Sequence, residues 1–386
     1  MKKKKILVTF IESGFGHITS AQSISDSLKK KYENNFEIEN CYIMHDSKRT
    51  EQFEKFLTLA TKTTNKVHGF GFFIFSFMEL CGGQKFLRFT HKTFFKTYVK
   101  ATLDAFLKHN PDVIVSTHYF LTYCANEYCK KHNKNCLIIT YNPDNNVHCW
   151  WDDRAGIFIT NNGNATNEAI NKRKFKEENV KTVSFTCRKE LLNCNESKEF
   201  YRKKYNIDKD TFCVIVADGG YALGKCKKVT NELLKTKKKL TIISIAGKNE
   251  KIYNYFIKKN VNNNIKFLPM QFVPEIYELY KAADLFITKA GPNSILDCVF
   301  MNTPILVDYY PHPIEKSTKK LFIDKLNCGL YISSPKKIRK MVELFIDSPN
   351  LLDPFIENTY KINKFNNGAD EVADIIYNAV RENNEA

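Results

Sequence analysis

Residues 6–28 read ILVTFIESGFGHITSAQSISDSL. An apolar, β-branched run stops at Glu12-Ser13-Gly14-Phe15-Gly16-His17, and a helical pattern begins almost at once. Strand, glycine-rich turn and helix in that order form the opening unit of a parallel, helix-covered sheet. Gly14 and Gly16 let the backbone turn tightly and come close to a ligand. The helix that follows aims free N–H groups, and the positive end of its dipole, at the crevice outside the carboxyl edge of the sheet. His17 stands at that edge. Gly-x-Gly-His is not Gly-x-Gly-x-x-Gly, and no acidic residue follows in the right context, so the stretch does not predict a nicotinamide dinucleotide. Taken by itself, His17 is equally a capping or buried residue.

The same alternation continues along the chain. Strands are expected at 36–43, 112–118, 135–142 and 155–162, and again at 212–220, 240–247, 265–272, 283–291 and 304–310. Two successive α/β units follow, as 386 residues also require. The pattern breaks around 183–200, which places a linker there. The domains expected are 1–190, 191–368 and a last helix, 369–386, whose apolar stripe at Val372, Ile375, Ile376 and Ala379 must lie against something. The Asn/Lys-rich runs 171–181 and 258–264 read as solvated loops or helix faces.

Lys and Arg number 59 against 42 acidic residues, a formal charge of +17 that favours anionic partners. The twelve cysteines contain no CxxC pair, and Cys124 and Cys129 lack the His or Cys cluster a zinc site needs, so they read as reduced thiols and no metal is expected. MKKKK followed by ILVTFI imitates a signal peptide, but the apolar run is short and polar Glu12 and Ser13 follow, so it reads as a first strand. No run approaches the roughly 20 apolar residues of a membrane span, so any membrane contact is peripheral.

Three further clusters carry chemistry. In Asp284–Asp297, strand, turn and helix recur: Gly291 and Pro292 open a helix, Asn293 and Ser294 offer capping groups, and the exposed N–H groups suit a diphosphate. Asp297, one turn inside, is placed to accept from ribose hydroxyls, or simply to complement the helix dipole. The loop 218–224, with Gly219 and Gly220, follows a strand and adds backbone donors. In residues 141–151, Asp144, His148 and both tryptophans, including Trp151, follow a strand's carboxyl end and suit an acceptor or sugar pocket with an acid/base pair. Lastly, Lys85, Arg88, Lys92, Lys96 and Lys100 recur every three or four residues as one basic stripe on a helix, preceded by the aromatic run GFGFFIFSFMEL (69–80). Such a helix beside exposed aromatics fits an anionic bilayer, or is an ordinary solvated face. No nucleic-acid-binding module accompanies the charge.

In the order SGFGHITSAQSI, DVIVSTH, PDNNVHCWW, IAGKNEKI and AADLFITKAGPNSILDCVFMNTPILVDYY, the chain resembles monogalactosyldiacylglycerol synthases and bacterial processive diacylglycerol glucosyltransferases. More distantly it is similar to the lipid-linked N-acetylglucosaminyltransferase of peptidoglycan synthesis. The resemblance spans about residues 5–332. It implies a GT-B fold, two Rossmann-like domains facing across a cleft, with the last helix crossing back to the first domain. It implies a metal-independent, inverting transfer, without a cofactor, of glucose or galactose from UDP-glucose or UDP-galactose to diacylglycerol or a related lipid. It also implies a cytoplasmic protein bound at the inner face of the cell membrane.

On the resemblance, His17 matches the glycine-loop histidine, His118 the histidine after the third strand, and Asp144 with His148 the acceptor-side pair. Either His17 or Asp144 is the base. The backbone near Phe272 and Val273 is where the family reads uracil. Leaving UDP gains charge in the transition state, which N–H donors near Gly219, Gly220 and Gly291–Ser294 stabilise. The family's Gly-Gln-Glu is replaced here by Pro311-His312-Pro313-Ile314-Glu315, so Glu315 stands in only after a one-residue shift. The rivals are a transferase with a polyprenyl-linked or soluble acceptor, and an inactive UDP-sugar-binding sensor or scaffold.

Overall fold

Ile6, Leu7 and Val8 are wholly buried, as befits a parallel strand covered on both faces. Side chains alternate across the sheet, so Ile6 and Val8 join one core cluster with Ala21, Ile24 and Leu28, while Leu7 joins the other with Ile43, Met44, Phe53 and Phe106. This is seen in a computed structural model that describes residues 3–12, 15–66, 69–363 and 367–385. Gly14 lies outside the described residues.

The first sheet contains β1 (Lys4–Thr9), β2 (Phe36–Cys41), β3 (Val113–Ser116), β4 (Leu137–Tyr141), β5 (Ile157–Thr160) and β6 (Val180–Thr182). All are parallel, in the order β2-β1-β3-β4-β5-β6. The second contains β7 (Phe212–Ala217), β8 (Leu240–Ile245), β9 (Ile265–Met270), β10 (Leu285–Lys289), β11 (Ile305–Tyr309) and β12 (Gly329–Tyr331). These too are parallel, in the order β12-β11-β10-β7-β8-β9. Each order reverses once, between β1 and β3 and between β7 and β10, and ligands of open parallel sheets bind at the carboxyl ends flanking such a reversal.

The sheets sit in two compact units. Most of the chain up to Arg188 and the final helix Gly368–Glu385 belong to the first, and the chain from Lys189 to the helix Asp353–Asn363 to the second. The final helix lies on the helix Phe15–Tyr32, with Tyr32 and Tyr377 stacked 4.3 Å apart and Glu371 accepting from the Ser184 amide and hydroxyl. Its buried stripe is Val372, Ala373, Ile376 and Val380, one register step away from the stripe expected through Ala379.

Two differences from the sequence reading concern short strands. Neither β6 nor β12 was expected, because three residues show no periodicity. Gly329 begins β12 where a Cβ would lie 1.7 Å from the Ile305 carbonyl oxygen, so only glycine lets that strand reach β11. The run 171–181 is largely exposed, but Arg173, Phe175 and Val180 are buried, the last in β6 itself.

Candidate functional site

At the reversal of the first sheet, the loop after β1 and the turn after β3 meet. His17 lies in the first turn of its helix, half-buried, and its Nδ1 is 2.5 Å from the Thr117 carbonyl oxygen. A carbonyl can only accept, so Nδ1 carries the proton and Nε2 keeps its lone pair. The Thr117 hydroxyl donates in turn to the His17 carbonyl, 2.9 Å away, which fixes the ring's backbone as well as its edge. Desolvation is the largest influence on His17 and lowers its pKa below the ordinary imidazole value, partly opposed by the Asp144 carboxylate. The ring is therefore neutral at pH 7, the state a base requires.

Asp144 and His148 follow β4, the next strand across. His148 Nδ1 accepts from the Trp150 amide at 3.3 Å, so Nε2 bears the proton and faces Asp144 Oδ2 at 3.5 Å. Asn142 shapes this turn, its side-chain oxygen accepting from the Asp144 amide and its nitrogen donating to the Asp144 and Asn146 carbonyls. Thus His17, Asp144 and His148 converge at one edge, His17 with its Nε2 lone pair and Asp144 mostly but not wholly buried.

Two residues expected at an acceptor pocket are not presented to it. His118 is fully buried, its Nδ1 capping the helix Tyr119–His132 by accepting from the Phe120 amide, and burial holds its pKa far below the usual value. It backs His17, ring to ring at 4.7 Å. Trp151 is also fully buried, in a core cluster with Val147, Phe158 and Phe175, because adjacent residues of this turn face opposite ways. Its neighbour Trp150 is the half-exposed indole, stacked on Phe75 at 4.6 Å and tilted against Tyr119. Thr117 was missed by the sequence reading, and the stacking of Phe75 on Trp150 was not foreseen, since nothing local marks a partner from another element.

Phe75 belongs to the helix Phe70–Leu80, whose other side is unusual. Phe70, Phe73, Phe77 and Leu80, spaced three or four apart, are 37, 64, 47 and 87% exposed, so an entire apolar helix face meets solvent. Phe89 and Phe94 are exposed nearby in sequence. The basic stripe, however, is not on one helix. Thr93–Phe95 break it into Gln84–Lys92 and Lys96–His109, and Arg88 is drawn off by Asp152, at 2.8 Å, and Asp153. Lys85, Lys92, Lys96 and Lys100 stay exposed. Among the described residues no helix is long and apolar enough to cross a membrane.

At the reversal of the second sheet, β7 leads into Asp218-Gly219-Gly220 and β10 into Ala290-Gly291. The helix Pro292–Phe300 begins at Gly291, with no side chain capping it, so the amides of Asn293 and Ser294 stay open instead of being capped by those side chains. Gly16 and Pro292 sit in the first turns of their helices, and Asp297 is half-buried on the second turn of its own. Gly219 takes φ +71°, and Gly247 (φ +56°) must be glycine because a Cβ would lie 2.3 Å from the Gly220 carbonyl oxygen. Phe272 and Val273 form an open loop after β9, and the Lys248 ammonium lies 5.6 Å from the Phe272 ring. Glu315 is buried and ion-paired with Lys289 at the end of β10. The cation beside the Gly219 loop is Lys289, which sequence reading did not single out.

Residues 222–336 match the glycosyltransferase family 28 C-terminal domain. A processive diacylglycerol beta-glucosyltransferase of Bacillus licheniformis is 22% identical over 97% of this chain and 94% of its own length. A probable chloroplastic monogalactosyldiacylglycerol synthase of Nicotiana tabacum is also 22% identical, over 88% of this chain and 64% of its own. Among solved structures, Acinetobacter baumannii MurG is similar with a TM-score of 0.61 at 11% identity, covering 97% of this chain and 99% of that one.

The fold is GT-B. The resemblance carried by the motifs therefore extends over nearly the whole chain, and both Rossmann-like sheets are present.

Proposed function

We propose that this protein is an inverting glycosyltransferase that moves a hexose from a UDP-sugar to diacylglycerol or a related membrane lipid. The observation that carries the reading is the His17 tautomer: proton on Nδ1, locked to the Thr117 carbonyl, lone pair on Nε2. In a single displacement, Nε2 takes the proton of the acceptor hydroxyl as its oxygen attacks the anomeric carbon, and the bond to the UDP oxygen breaks on the opposite side. Asp144 stabilises the imidazolium that forms, and His148 holds Asp144. His17 is thus the base and Asp144 its charge partner.

The departing diphosphate gains negative charge, which the open amides of Asn293 and Ser294, the Gly219-Gly220 loop and Lys289 meet in this reading without a metal ion. Asp297 takes the ribose, and the loop at Phe272 and Val273 the base. The exposed face of Phe70–Leu80 and the lysines 85, 92, 96 and 100 support a membrane-surface site of action, where the acceptor lies. The names of the relatives support a diacylglycerol acceptor.

A transfer assay tests this. The whole protein is given anionic vesicles containing diacylglycerol and labelled UDP-glucose or UDP-galactose in parallel arms. Label in the lipid phase from either donor upholds the reaction and names the sugar. UDP-sugar binding without lipid label sinks the lipid-acceptor assignment.

A further inference from the structure

The helix Phe70–Leu80 is apolar almost throughout, yet Gly71 is its one buried residue. So little burial is a weak anchor. Two of its side chains tie it instead to the turn after β4 that carries Asp144 and His148. Phe75 stacks on Trp150 and meets the His148 ring edge-on at 5.8 Å. Near the carboxyl end of the helix, Glu79 accepts from both terminal nitrogens of Arg173, Nη1 to Oε2 at 2.9 Å and Nη2 to Oε1. Just beyond the helix, the Gln84 side-chain amide donates to the Trp151 carbonyl at 2.8 Å.

Arg173 is the joint between the two. It is buried, and its third nitrogen, Nε, donates at 2.7 Å to the carbonyl of Val147, the residue before His148. The Val147 amide is held from the same stretch of chain, donating to Glu168 Oε2 at 2.9 Å. A guanidinium is planar and its five N–H donors are fixed in a fork, so one edge cannot move without the other. Stripping a buried guanidinium of its carboxylate is costly, which keeps the fork closed on Glu79. A displacement of Glu79 is therefore delivered to the Val147 peptide and to His148, whose Nε2 faces Asp144 Oδ2 at 3.5 Å.

The outer face of the same helix, Phe70, Phe73, Phe77 and Leu80, meets solvent. In water that face gains nothing from staying in place. Seated in a bilayer it is held by burial, and the fork carries the constraint inward.

We propose that Glu79 and Arg173 are positioning residues that couple the seating of Phe70–Leu80 on a lipid surface to the setting of the Asp144–His148 pair, so that turnover rises when the surface itself is present. The inference rests on the transferase reading above and adds that the bilayer acts on the site as an effector, apart from supplying the acceptor. Arg173 acts through Val147, not on the reacting atoms.

The test supplies acceptor and surface separately. The whole protein receives labelled UDP-sugar and a short-chain, water-soluble diacylglycerol, with or without anionic vesicles that contain no diacylglycerol. In the parent, vesicles should raise kcat at least about fivefold, the lower end of ordinary coupling between sites. KM for the UDP-sugar should stay unchanged, because the donor loops belong to the other sheet. Glu79→Ala, at a side chain 39% exposed, frees the fork but leaves the apolar face intact. This variant should sediment with vesicles like the parent, keep the vesicle-free rate and lose the stimulation, while Glu79→Gln, which keeps one acceptor oxygen, should retain part of it. Acceptor that merely partitions into vesicles would speed both proteins alike, so equal stimulation overturns the proposal. A parent indifferent to vesicles overturns it too. Should no sugar be transferred under any condition, the function proposed above fails, and the coupling is read from Trp150. Its emission should shift on vesicle binding in the parent and not in Glu79→Ala, with Trp151 buried in both. The same shift in both, or none in either, overturns the coupling.

Discussion

His17 and Thr117 hold each other twice, ring Nδ1 to carbonyl at 2.5 Å and hydroxyl to carbonyl at 2.9 Å. The pair spans the reversal of the first sheet, joining the loop after β1 to the turn after β3. A base oriented this way loses no entropy in the reaction step. His17→Gln keeps a side-chain nitrogen able to donate to Thr117 but has no basic Nε2. Turnover should fall by about 10²–10⁴-fold, with UDP affinity unchanged by calorimetry, because Gly219, Gly220 and Gly291 to Ser294 lie on the other sheet. Full turnover in this variant would remove His17 from the proton transfer.

The rate profile with pH follows from the same ring. Desolvation lowers the His17 pKa, and Asp144 pulls it back up. The base works unprotonated, so the acid limb of kcat/KM should lie below pH 6.5, the ordinary imidazole value. Asp144→Asn removes the upward pull, so the limb should move to still lower pH while the plateau drops. An acid limb at unchanged pH in Asp144→Asn would mean that the carboxylate does not act on His17.

Asp308 near the end of β11 tests the second sheet. Both its carboxylate oxygens are buried without a hydrogen-bond partner, and burial, with Asp218 nearby, holds its pKa well above the usual carboxylate value. A carboxyl raised in the folded state keeps its proton there after the unfolded chain has lost it. Its contribution is therefore complete below about pH 4 and is lost as pH rises toward the folded value. Each pKa unit is about 1.4 kcal/mol. Asp308→Asn needs no proton, so its stability advantage over the parent should be absent near pH 4 and grow toward pH 8 in denaturant titrations. A difference that stays constant with pH would show that Asp308 is not the titrating group.

How much could be read in advance depended on whether a signal was local. The order of strands and glycine turns is local, and so the two parallel sheets, the His17 edge and the open amides at Asn293 and Ser294 were all legible. Partners from distant elements were not. Nothing near Arg88 announces Asp152, nothing near Glu315 announces Lys289, and nothing near Trp150 announces Phe75. The choice between Trp150 and Trp151 was invisible for another reason: in an irregular turn neither the period of 2 nor that of 3.6 says which neighbour faces in. His118 was named from the family resemblance, but its place as the cap of Tyr119–His132 puts it under the site and not in it.

Phe75 ties the site to the exposed helix face, because one side of Phe70–Leu80 stacks on Trp150 while the other presents Phe73 and Phe77 at 64 and 47% exposure. An apolar face of that kind binds a bilayer by burial, and lysines 85, 92, 96 and 100 add an attraction that salt screens over about 10 Å at 0.1 M. The two contributions separate by experiment. Phe73→Asp with Phe77→Asp should abolish sedimentation with vesicles at any salt, since both side chains are exposed at 64 and 47%. Replacing the four lysines by glutamine should weaken binding only to anionic vesicles and remove most of its salt dependence. If the aspartate variant still binds vesicles and transfers sugar to lipid at the parent rate, this face is not the membrane contact, and the acceptor reaches His17 by another path.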